Sequence, residues 1–379
     1  ERFHNQAAQT EIDIEKIISE RRHISTDLSL SSEKGYTAVY FQLNDLTKVN
    51  LTRNFDKMPF VPDDVTERKN RCEEVLAIQT AGLKKRFRHT GSQKAILGLS
   101  GGMDSTLALI VTVQAFDLLE ITRRNIICIT MPCFGTTDRT YQNAVLLAKE
   151  FNVTLKEIPI QQSVTLHLEE IGHDMNKKDS TYENSQARER TQILMDIANQ
   201  ENGLVIGTGD MSELALGWAT YNGDHMSMYG VNSSVPKTLV RFLIRHYADV
   251  YCDSEKKAVL YDVLETPISP ELLPSNESKN LQKTEEIIGP YELHDFFLYH
   301  TVRFGFSSAK ILRMAAVAFA GDYDEKIIKK WLDVFYRRFY SQQFKRSCMP
   351  DGPSIGSVSL SPRTGFMIPS DADHNVSRL

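Results

Sequence analysis

Between residues 94 and 207, short apolar segments alternate with longer segments in which apolar residues recur at the spacing of a helix. This alternation restricts the fold more than any other feature. The apolar segments have the length of buried strands, and they are Lys94–Leu99, Asn125–Met131, Thr154–Ile160 and Gly203–Gly207. The segments of helical spacing between them are Asp104–Leu119, Arg139–Phe151 and Asn184–Asn202. Strands that alternate with helices in this way form right-handed βαβ units. The sequence therefore predicts an α/β fold, a Rossmann-like parallel sheet with helices on both faces.

Composition and charge argue against several classes of protein. The 379 residues carry a net charge of −5, which gives no reason to expect nucleic acid as a partner. No apolar run approaches the roughly 20 residues that a membrane span needs. The five cysteines are odd in number and lie at none of the spacings that zinc sites use, which favours reduced thiols. We therefore expect a cytoplasmic protein that binds neither membranes nor nucleic acid.

A glycine-rich loop, Ser100–Ser105, joins the first predicted strand to the helix that follows it. Gly101 and Gly102 let the backbone turn tightly and approach a ligand, and the start of a helix presents free N–H groups to phosphate. Asp104 would repel phosphate unless its carboxylate held Mg²⁺. The loop lacks the Gly-Lys-Ser/Thr ending of a Walker A motif. It predicts a phosphate site; the alternative is an ordinary strand-to-helix turn in which Asp104 caps the helix.

Three further residues fit a ligand site. Thr208 follows the fourth predicted strand, and open α/β sheets bind ligands at the carboxyl ends of their strands. Glu213 lies about one helical turn further on and can face the same crevice, the alternative being a glutamate on the helix surface. Lys237 begins the predicted helix Pro236–Ala248, where a cation opposes the helix dipole. That position favours a ligand phosphate nearby, with a plain surface lysine as the alternative.

Four longer segments carry a family resemblance. They are Tyr182–Gln192, Gly207–Trp218, Thr220–Ser227 and Pro236–Thr238. Together with Ser100–Ser105 they resemble the NAD synthetases, specifically the synthetase portion of the glutamine-dependent, two-domain form. The loop itself is similar to the pyrophosphate loop of the N-type ATP pyrophosphatases. The resemblance implies the adenine nucleotide alpha hydrolase-like version of the Rossmann-like fold.

The same resemblance implies an activity. It is that of a carbon–nitrogen ligase with ATP as co-substrate and Mg²⁺ as cofactor, which adenylates the nicotinate carboxylate of deamido-NAD. Ammonia, which comes from glutamine in the full-length form, then displaces AMP to give NAD, with pyrophosphate as the other product. Relatives work as homodimers or larger oligomers. The alternatives are another N-type ATP pyrophosphatase, such as a GMP synthetase, or a non-catalytic fragment that binds nucleotides.

The resemblance also assigns roles to single residues. Those implied for ATP are Gly98, Ser100, Gly101, Gly102, Asp104, Ser105, Thr208 and Lys237. Those implied for deamido-NAD are Asn184, Arg188, Glu213, Trp218, Tyr221, Asp224 and Lys345. Asp104 and Glu213 are the implied metal ligands. With Lys237 and Asp224 they are also the implied catalytic residues.

Several of these roles have alternatives. Asp224 would attract ammonium and accept its proton as a general base, and a turn aspartate is the alternative. Trp218 and Tyr221 offer flat faces to a pyridine ring, and core packing is the alternative for both. The resemblance further implies that Arg346 closes on the dinucleotide and that Ser269 approaches ATP.

The resemblance divides the chain into three parts. Residues 1–60 are expected to form a linker and the end of an upstream glutaminase domain, residues 61–350 the synthetase domain, and residues 351–379 a C-terminal tail. The sequence departs from the family pattern at four positions, which affect the expected contacts of the tail and the coupling to the glutaminase domain. They are Cys133, Ser354, Phe366 and Met367.

Overall fold

The computed structural model describes residues 10–23, 51–266 and 284–373, together with residues 5, 7, 37 and 39–42. Within these residues, five strands form one parallel sheet in the order β3-β2-β1-β4-β5. They are β1 (Ala95–Gly98), β2 (Ile126–Thr130), β3 (Thr154–Glu157), β4 (Leu204–Gly207) and β5 (Tyr229–Gly230). The predicted parallel α/β fold and its four strands are confirmed. The sequence did not reveal β5, because a strand of two residues has no periodicity to recognise.

Helices cover both faces of the sheet, and further helices pack in a layer of their own. They are α1 (Ile14–His23), α2 (Val65–Thr90), α3 (Met103–Leu119), α4 (Asp138–Glu150), α5 (Gln161–Glu170), α6 (Ser180–Glu201), α7 (Met211–Leu216), α8 (Lys237–Tyr251), α9 (Ser254–Glu265), α10 (Thr284–Ile288), α11 (Tyr291–Phe304), α12 (Ser308–Ala318), α13 (Glu325–Ser341) and α14 (Gln343–Ser347), with a 3-10 helix at Arg123–Asn125. Alternate side chains of β1 point to opposite faces. Leu97 packs in a core with α2, α3 and α8, whereas Ile96 packs in a core with α5 and α6.

A third core belongs to a helical layer made of α7, α11, α12 and α13. Leu214 of α7 packs there with Phe296 of α11 and Phe335 of α13. Residues 351–373 form no helix or strand, but Val358 and Leu360 are buried in this core. Because Leu214 packs in this core, tertiary contacts hold the short helix α7, which at six residues has little stability of its own.

The direction in which successive strands are added changes beside β1. The chain places β2 and β3 on one side of β1, and then β4 and β5 on the other side. Open α/β sheets bind their ligands outside the carboxyl ends of the strands at such a point. The loops that follow β1 and β4 therefore flank one crevice.

No helix in the described part of the chain is both long and apolar enough to cross a membrane. All five cysteines fall within that part, and each has a free thiol. Ser269, residues 374–379 of the expected tail and parts of the expected linker 1–60 lie outside the described residues.

Candidate active site

The loop between β1 and α3 presents the start of a helix to the crevice. Gly101 has a φ of +87°, and a Cβ at this position would lie 2.1 Å from the carbonyl oxygen of Thr140 in α4. Gly102 is the N-cap residue of α3, and no side chain among the described residues caps that helix. The first N–H groups of α3 are therefore available to an anion. Asp104 lies in the first turn and not at the N-cap, which rules out the alternative that it caps the helix.

The predicted serines hold this loop in shape. Ser100 Oγ accepts a hydrogen bond from the N–H of Gly102 at 3.2 Å and lies 3.1 Å from Ser105 Oγ. Ser105 Oγ also lies 3.0 Å from the carbonyl oxygen of Gly102, to which it can donate. Gly98, at the end of β1, packs against α6, where a Cβ would lie 3.3 Å from Leu194 Cδ1. In the structure, the two serines therefore stabilise the turn of the loop, and Gly98 allows α6 to pack closely against the end of β1.

We expect Gly101→Ala to lower the free energy of unfolding by clearly more than the roughly 1–2 kcal/mol that a left-handed residue costs. The added Cβ must also displace the backbone of α4 at Thr140. Urea denaturation measures the loss. Gly91→Ala is the matched control, because Gly91 has a φ of +71° and its Cβ would meet no described atom within 4 Å. Equal losses at the two positions would contradict a close approach of the loop to α4.

Lys237 lies at the centre of three carboxylates. Its Nζ is 2.8 Å from Asp104 Oδ2, 2.6 Å from Asp210 Oδ2 and 2.9 Å from Glu213 Oε1. Lys237 is 4% exposed and Asp210 is fully buried, whereas Asp104 and Glu213 are partly buried. The structure thus brings together three predicted catalytic residues and adds Asp210. We call these four residues the carboxylate–ammonium cluster.

Three helix starts hold the cluster in place. Asp104 belongs to the first turn of α3, and Asp210 is the N-cap of α7. Oδ1 of Asp210 accepts the N–H groups of Ser212 at 2.8 Å and Glu213 at 2.9 Å, while its Oδ2 faces Lys237. Lys237 is the first residue of α8, and its N–H donates to Ser212 Oγ at 2.8 Å. The starts of α7 and α8 are therefore fixed relative to each other.

Asp295 of α11 fastens the same helix starts from the helical layer. Its Oδ1 accepts a hydrogen bond from Ser212 Oγ. Its Oδ2 accepts the N–H of Thr238 at 3.0 Å and the hydroxyl of Thr238 at 2.7 Å. Asp295 is fully buried, and this burial raises the pKa of its carboxyl group. The third core thus supports the cluster directly.

Burial and mutual repulsion set the protonation of the cluster. Burial raises the pKa of Glu213 to about 7, and it raises the pKa of Asp210 well above its ordinary value. Burial disfavours the charged form of Lys237, but the carboxylates of Asp104, Asp210 and Glu213 outweigh burial and hold its pKa well above the ordinary value. With every group ionised, three negative charges face one positive charge. The cluster therefore favours a further cation.

The carboxylates fit a divalent cation. Oxygen atoms of Asp104, Asp210 and Glu213 all lie within 4.8 Å of one another. Oδ1 of Asp104 is buried without a hydrogen-bond partner among the residues described. Carboxylate oxygens are the ligands that Mg²⁺ prefers in proteins. The two predicted metal ligands, Asp104 and Glu213, therefore belong to a set of three carboxylates that includes Asp210. In the structure, the side-chain partners of Lys237 are these same carboxylates.

Four predicted deamido-NAD residues meet at the turn after α7. Asn184 Oδ1 accepts a hydrogen bond from Thr220 Oγ1 at 2.8 Å, and Asp224 Oδ1 accepts the N–H of Thr220 at 2.7 Å. Arg188 Nε donates to the carbonyl oxygen of Tyr221 at 3.3 Å. Thr220 therefore connects α6 to the turn, and the four residues share one region.

The two predicted aromatic residues have different surroundings. Tyr221 is 42% exposed and stacks on His225, with ring centroids 5.1 Å apart. Trp218 is partly buried against the third core, and the guanidinium of Arg338 lies 5.3 Å from its ring centroid. An exposed ring can receive a flat ligand. The surroundings favour a ligand role for Tyr221 and the packing alternative for Trp218.

Lys345 holds the backbone of the turn after α7. Its Nζ donates to the carbonyl oxygens of Gly217 at 2.8 Å and Ala219 at 2.7 Å. Burial lowers the pKa of this amine. In the structure, Lys345 therefore acts on the backbone of the turn.

Arg346 is a buried residue that holds α7. It is 1% exposed, and its guanidinium donates to the carbonyl oxygens of Leu214 at 3.2 Å and Ala215 at 2.8 Å, and also to that of Phe339. The bonds to Ala215 and Phe339 satisfy carbonyl groups that the end of a helix leaves unpaired, whereas the carbonyl oxygen of Leu214 also accepts the N–H of Gly217 at 3.3 Å. The expectation that Arg346 closes on the dinucleotide is corrected, because the guanidinium faces backbone and not the crevice.

We expect Arg346→Met to lower the free energy of unfolding by about 2–4 kcal/mol, because buried carbonyl groups would lose their donors. Chemical denaturation followed by circular dichroism measures this change. Arg363→Met is the matched control: its guanidinium also donates to a backbone carbonyl, that of Met349 at 2.9 Å, but its side chain is 48% exposed. The control should cost less than about 1 kcal/mol. A small loss for Arg346→Met would contradict its proposed support of α7.

A cleft opens beside the cluster at the carboxyl ends of β4 and β5. Three predicted site residues line it, namely Thr208, Glu213 and Asp224. The other lining residues are Gly207, Gly209, Leu214, Ala219, His225, Ser227, Gly230, Ser233, Met349 and Pro350. Glu213 thus belongs both to the cleft and to the cluster that includes Asp104 of the glycine-rich loop.

Sequence reasoning missed three buried polar residues at this site, namely Asp210, Asn232 and Asp295. Asp210 had a signal, since an aspartate between the end of a strand and the start of a helix is a favoured N-cap. Asn232 and Asp295 had none, because their partners lie far away along the chain. Asn232 bonds to the backbone of Asp104, and Asp295 to Ser212.

Comparison with known proteins identifies the family. The sequence model of a family described as NAD synthase matches residues 75–317. The glutamine-dependent NAD(+) synthetase of Mycobacterium leprae is 42% identical over 352 residues, which cover 86% of this chain and 52% of that protein. The protein of the same name from Mycobacterium tuberculosis H37Rv gives the same identity and the same coverage. The chain spans about half the length of the curated relatives it matches.

A solved structure has a similar fold. It is that of a glutamine-dependent NAD(+) synthetase from Cytophaga hutchinsonii, which matches with a TM-score of 0.65 and 19% identity. The match covers 81% of this chain and 55% of that one. At this identity the likeness concerns the fold alone. It agrees with the predicted Rossmann-like, adenine nucleotide alpha hydrolase-like fold.

Proposed function

Because the chain belongs to the NAD synthase family, we propose that it is the amidating part of an NAD synthetase, a carbon–nitrogen ligase. In this proposal ATP adenylates the nicotinate carboxylate of deamido-NAD and releases pyrophosphate. Ammonia then attacks the acyl carbon, and AMP leaves as NAD forms. We further propose that residues 61–350 form the domain that carries this activity.

One observation carries the proposal. A glycine-rich loop, two predicted metal ligands and a buried ammonium meet at the sheet edge where β1 and β4 end, within the residues that match the family. Adenylation brings a carboxylate and a triphosphate together, so it requires concentrated positive charge and free N–H donors. The carboxylates of the cluster would supply the positive charge by holding Mg²⁺ beside Lys237, and the start of α3 supplies the N–H donors.

The residues of the loop and of the cluster would serve ATP. The phosphates would accept hydrogen bonds at the start of α3, with Gly101 and Gly102 allowing close approach and Ser100 and Ser105 fixing the turn. Asp104 and Glu213, joined by Asp210, would hold Mg²⁺, which supplies positive charge to the phosphate oxygens when it is bound. Gly98 and Thr208 lie at the ends of β1 and β4, beside the same crevice.

Lys237 would have two tasks. Its ammonium keeps the three carboxylates together, as the distances of 2.6–2.9 Å indicate. It also adds a fixed positive charge beside the phosphate loop, and fixed charges act strongly in a partly buried site.

Deamido-NAD would lie in the cleft and along the turn after α7. Tyr221 offers an exposed ring, and Asn184 and Arg188 offer polar groups from α6. Lys345 and Trp218 would shape the turn itself. Asp224 is exposed at the cleft, where its carboxylate would attract ammonium and accept a proton as the amide forms.

We propose further partners that follow from the family. The relatives named above are glutamine-dependent, so ammonia would come from a glutaminase domain that precedes these residues in the full-length protein. We also propose a homo-oligomer in the cytoplasm, consistent with five free thiols.

Release of AMP tests the function. The purified chain is incubated with ATP, Mg²⁺ and deamido-NAD, with either ammonium chloride or glutamine as the nitrogen source. We expect AMP and NAD in equal amounts with ammonium. No AMP should appear when xanthosine monophosphate replaces deamido-NAD. A folded protein that binds ATP and releases no AMP under any of these conditions would favour a nucleotide-binding fragment instead.

A further inference from the structure

We propose that Asn232 is a positioning residue that sets the spacing between the phosphate loop and the start of α7, and so the geometry of the carboxylate–ammonium cluster. The inference rests on the proposed function, because it concerns the same site. Asn232 itself touches none of the charged groups of the cluster. It acts through the backbone of the segments that carry them.

The contacts of Asn232 reach both loops that flank the crevice. Its Nδ2 donates to the carbonyl oxygen of Asp104 at 2.9 Å and to that of Thr208 at 3.0 Å. Its Oδ1 accepts a hydrogen bond from Gln79 Nε2 of α2 at 3.1 Å. Asn232 is fully buried. Both amide hydrogens and the amide oxygen are therefore used inside the protein.

The sheet does not itself join these loops. The pairing of β1 with β4 runs from Ala95 and Leu204 to Leu97 and Ile206, and Asp104 and Thr208 lie beyond that last pair. The Asn232 amide bridges the two segments that follow β1 and β4, beyond the point where the backbone hydrogen bonds between these strands end. One side chain thus continues the connection between β1 and β4 into the site.

The bridged segments are those that supply the cluster. Asp104 contributes its own carboxylate, and Thr208 lies two residues before Asp210. Asn232 lies five residues before Lys237, in the segment between β5 and α8. The amide therefore fixes three segments that come from distant parts of the chain and that each supply a charged group.

The chemistry of the bridge requires a carboxamide. Two carbonyl oxygens need two donors on one atom, and the third partner needs an acceptor, which Asn supplies within one planar group. Leucine has a similar shape and no donor. A displacement of about 1 Å in a site of this kind can lower the rate by about 100-fold. We therefore expect a large effect on turnover from a residue that contacts no substrate.

The test compares Asn232→Leu with the wild-type chain in two measurements. Titration calorimetry with ATP and Mg²⁺ should show binding weakened by at least about tenfold, since the cluster and the phosphate loop would separate. Steady-state kinetics should show kcat lowered by about 100-fold and a higher Mg²⁺ concentration at half-maximal rate, while KM for ammonium stays within about twofold. Asn232→Ser, which can donate only one hydrogen bond, should give intermediate values and serves if Asn232→Leu does not fold.

Gln79→Leu separates positioning from a general loss of stability. Gln79 is as buried as Asn232 and belongs to the same hydrogen-bond network, yet its removal leaves both bonds from Nδ2 to the loops in place. It should lower the melting temperature and leave the Mg²⁺ dependence unchanged. Folded Asn232 variants with wild-type affinity for ATP and Mg²⁺ would overturn the inference. If the wild type binds ATP and Mg²⁺ but does not convert deamido-NAD, the proposed function fails, and calorimetry alone still decides the role of Asn232.

Discussion

Replacing Lys237 with methionine is expected to lower the free energy of unfolding at neutral pH by about 3–5 kcal/mol and to abolish measurable turnover. The ammonium lies 2.6–2.9 Å from three carboxylates and is 4% exposed, so the variant would hold three carboxyl groups together with no cation between them. Methionine has nearly the length of lysine, which keeps the packing similar. Urea denaturation measures the stability, and release of AMP measures the turnover.

The stability loss should depend on pH. Burial raises the pKa of Asp210 and of Glu213 above their ordinary values, and Lys237 opposes this rise. Without the ammonium, both pKa values rise further, so the folded variant binds more protons than the unfolded chain over a range near neutrality. Its stability must then rise as the pH falls. We expect the difference from the wild type to shrink between about pH 8 and about pH 5.5. A deficit that stays constant over this range would mean that unpaired charge is not its cause.

Lys94→Met is the matched control for this change. Lys94 pairs with Glu201 at the amino end of β1, opposite the site, and its side chain is 37% exposed. Exposed ion pairs contribute about 0–1 kcal/mol, so the control should alter stability little. It should also keep its turnover, which would show that loss of a paired lysine elsewhere in the protein is not sufficient.

Glu213→Gln is expected to keep the fold and to lower turnover by at least about 100-fold. Glutamine has the shape of glutamate and can still accept a hydrogen bond from Lys237. It also removes one of three crowded negative charges, so the free energy of unfolding should change by less than about 1 kcal/mol or rise. The loss would fall on turnover, because a neutral amide is a much poorer ligand for Mg²⁺.

Two measurements follow for this variant. The Mg²⁺ concentration at half-maximal rate should increase together with the loss in kcat. Glu201→Gln, which changes a carboxylate that pairs with Lys94 and Lys156, should leave both quantities unchanged. Near-normal activity of Glu213→Gln would contradict the role proposed for this carboxylate.

Much of the site could be read from local patterns. The glycine-rich loop predicts its own conformation, since the φ of +87° at Gly101 and the contact with Thr140 both exclude a side chain there. Asp104, Glu213 and Lys237 were chosen by motif, and the structure brings them to one place. The assignment of Arg346 failed because a motif does not reveal whether a guanidinium points into the crevice or onto the end of a helix.

The partners of buried polar groups could not be read in this way. Asp104 and Lys237 are 133 residues apart, and Asp295 bonds to Ser212 across 83 residues. Such pairs depend on which strands are neighbours and on how the helical layer packs against the sheet. Asn232 shows this most clearly, because its two carbonyl partners follow different strands.

The sequence by itself determined the parallel sheet, the glycine-rich loop and the family. They follow from the spacing of hydrophobic residues, from the positions of glycines and from short sequence motifs. Each of these signals extends over only a few residues. Only the tertiary structure decided that one ammonium joins three carboxylates, Asp210 among them, and that Asn232 and Asp295 bond to the segments that carry them. The physical reason is that burial of a charge is stable only with partners, and the partners are supplied by elements that meet after the chain has folded.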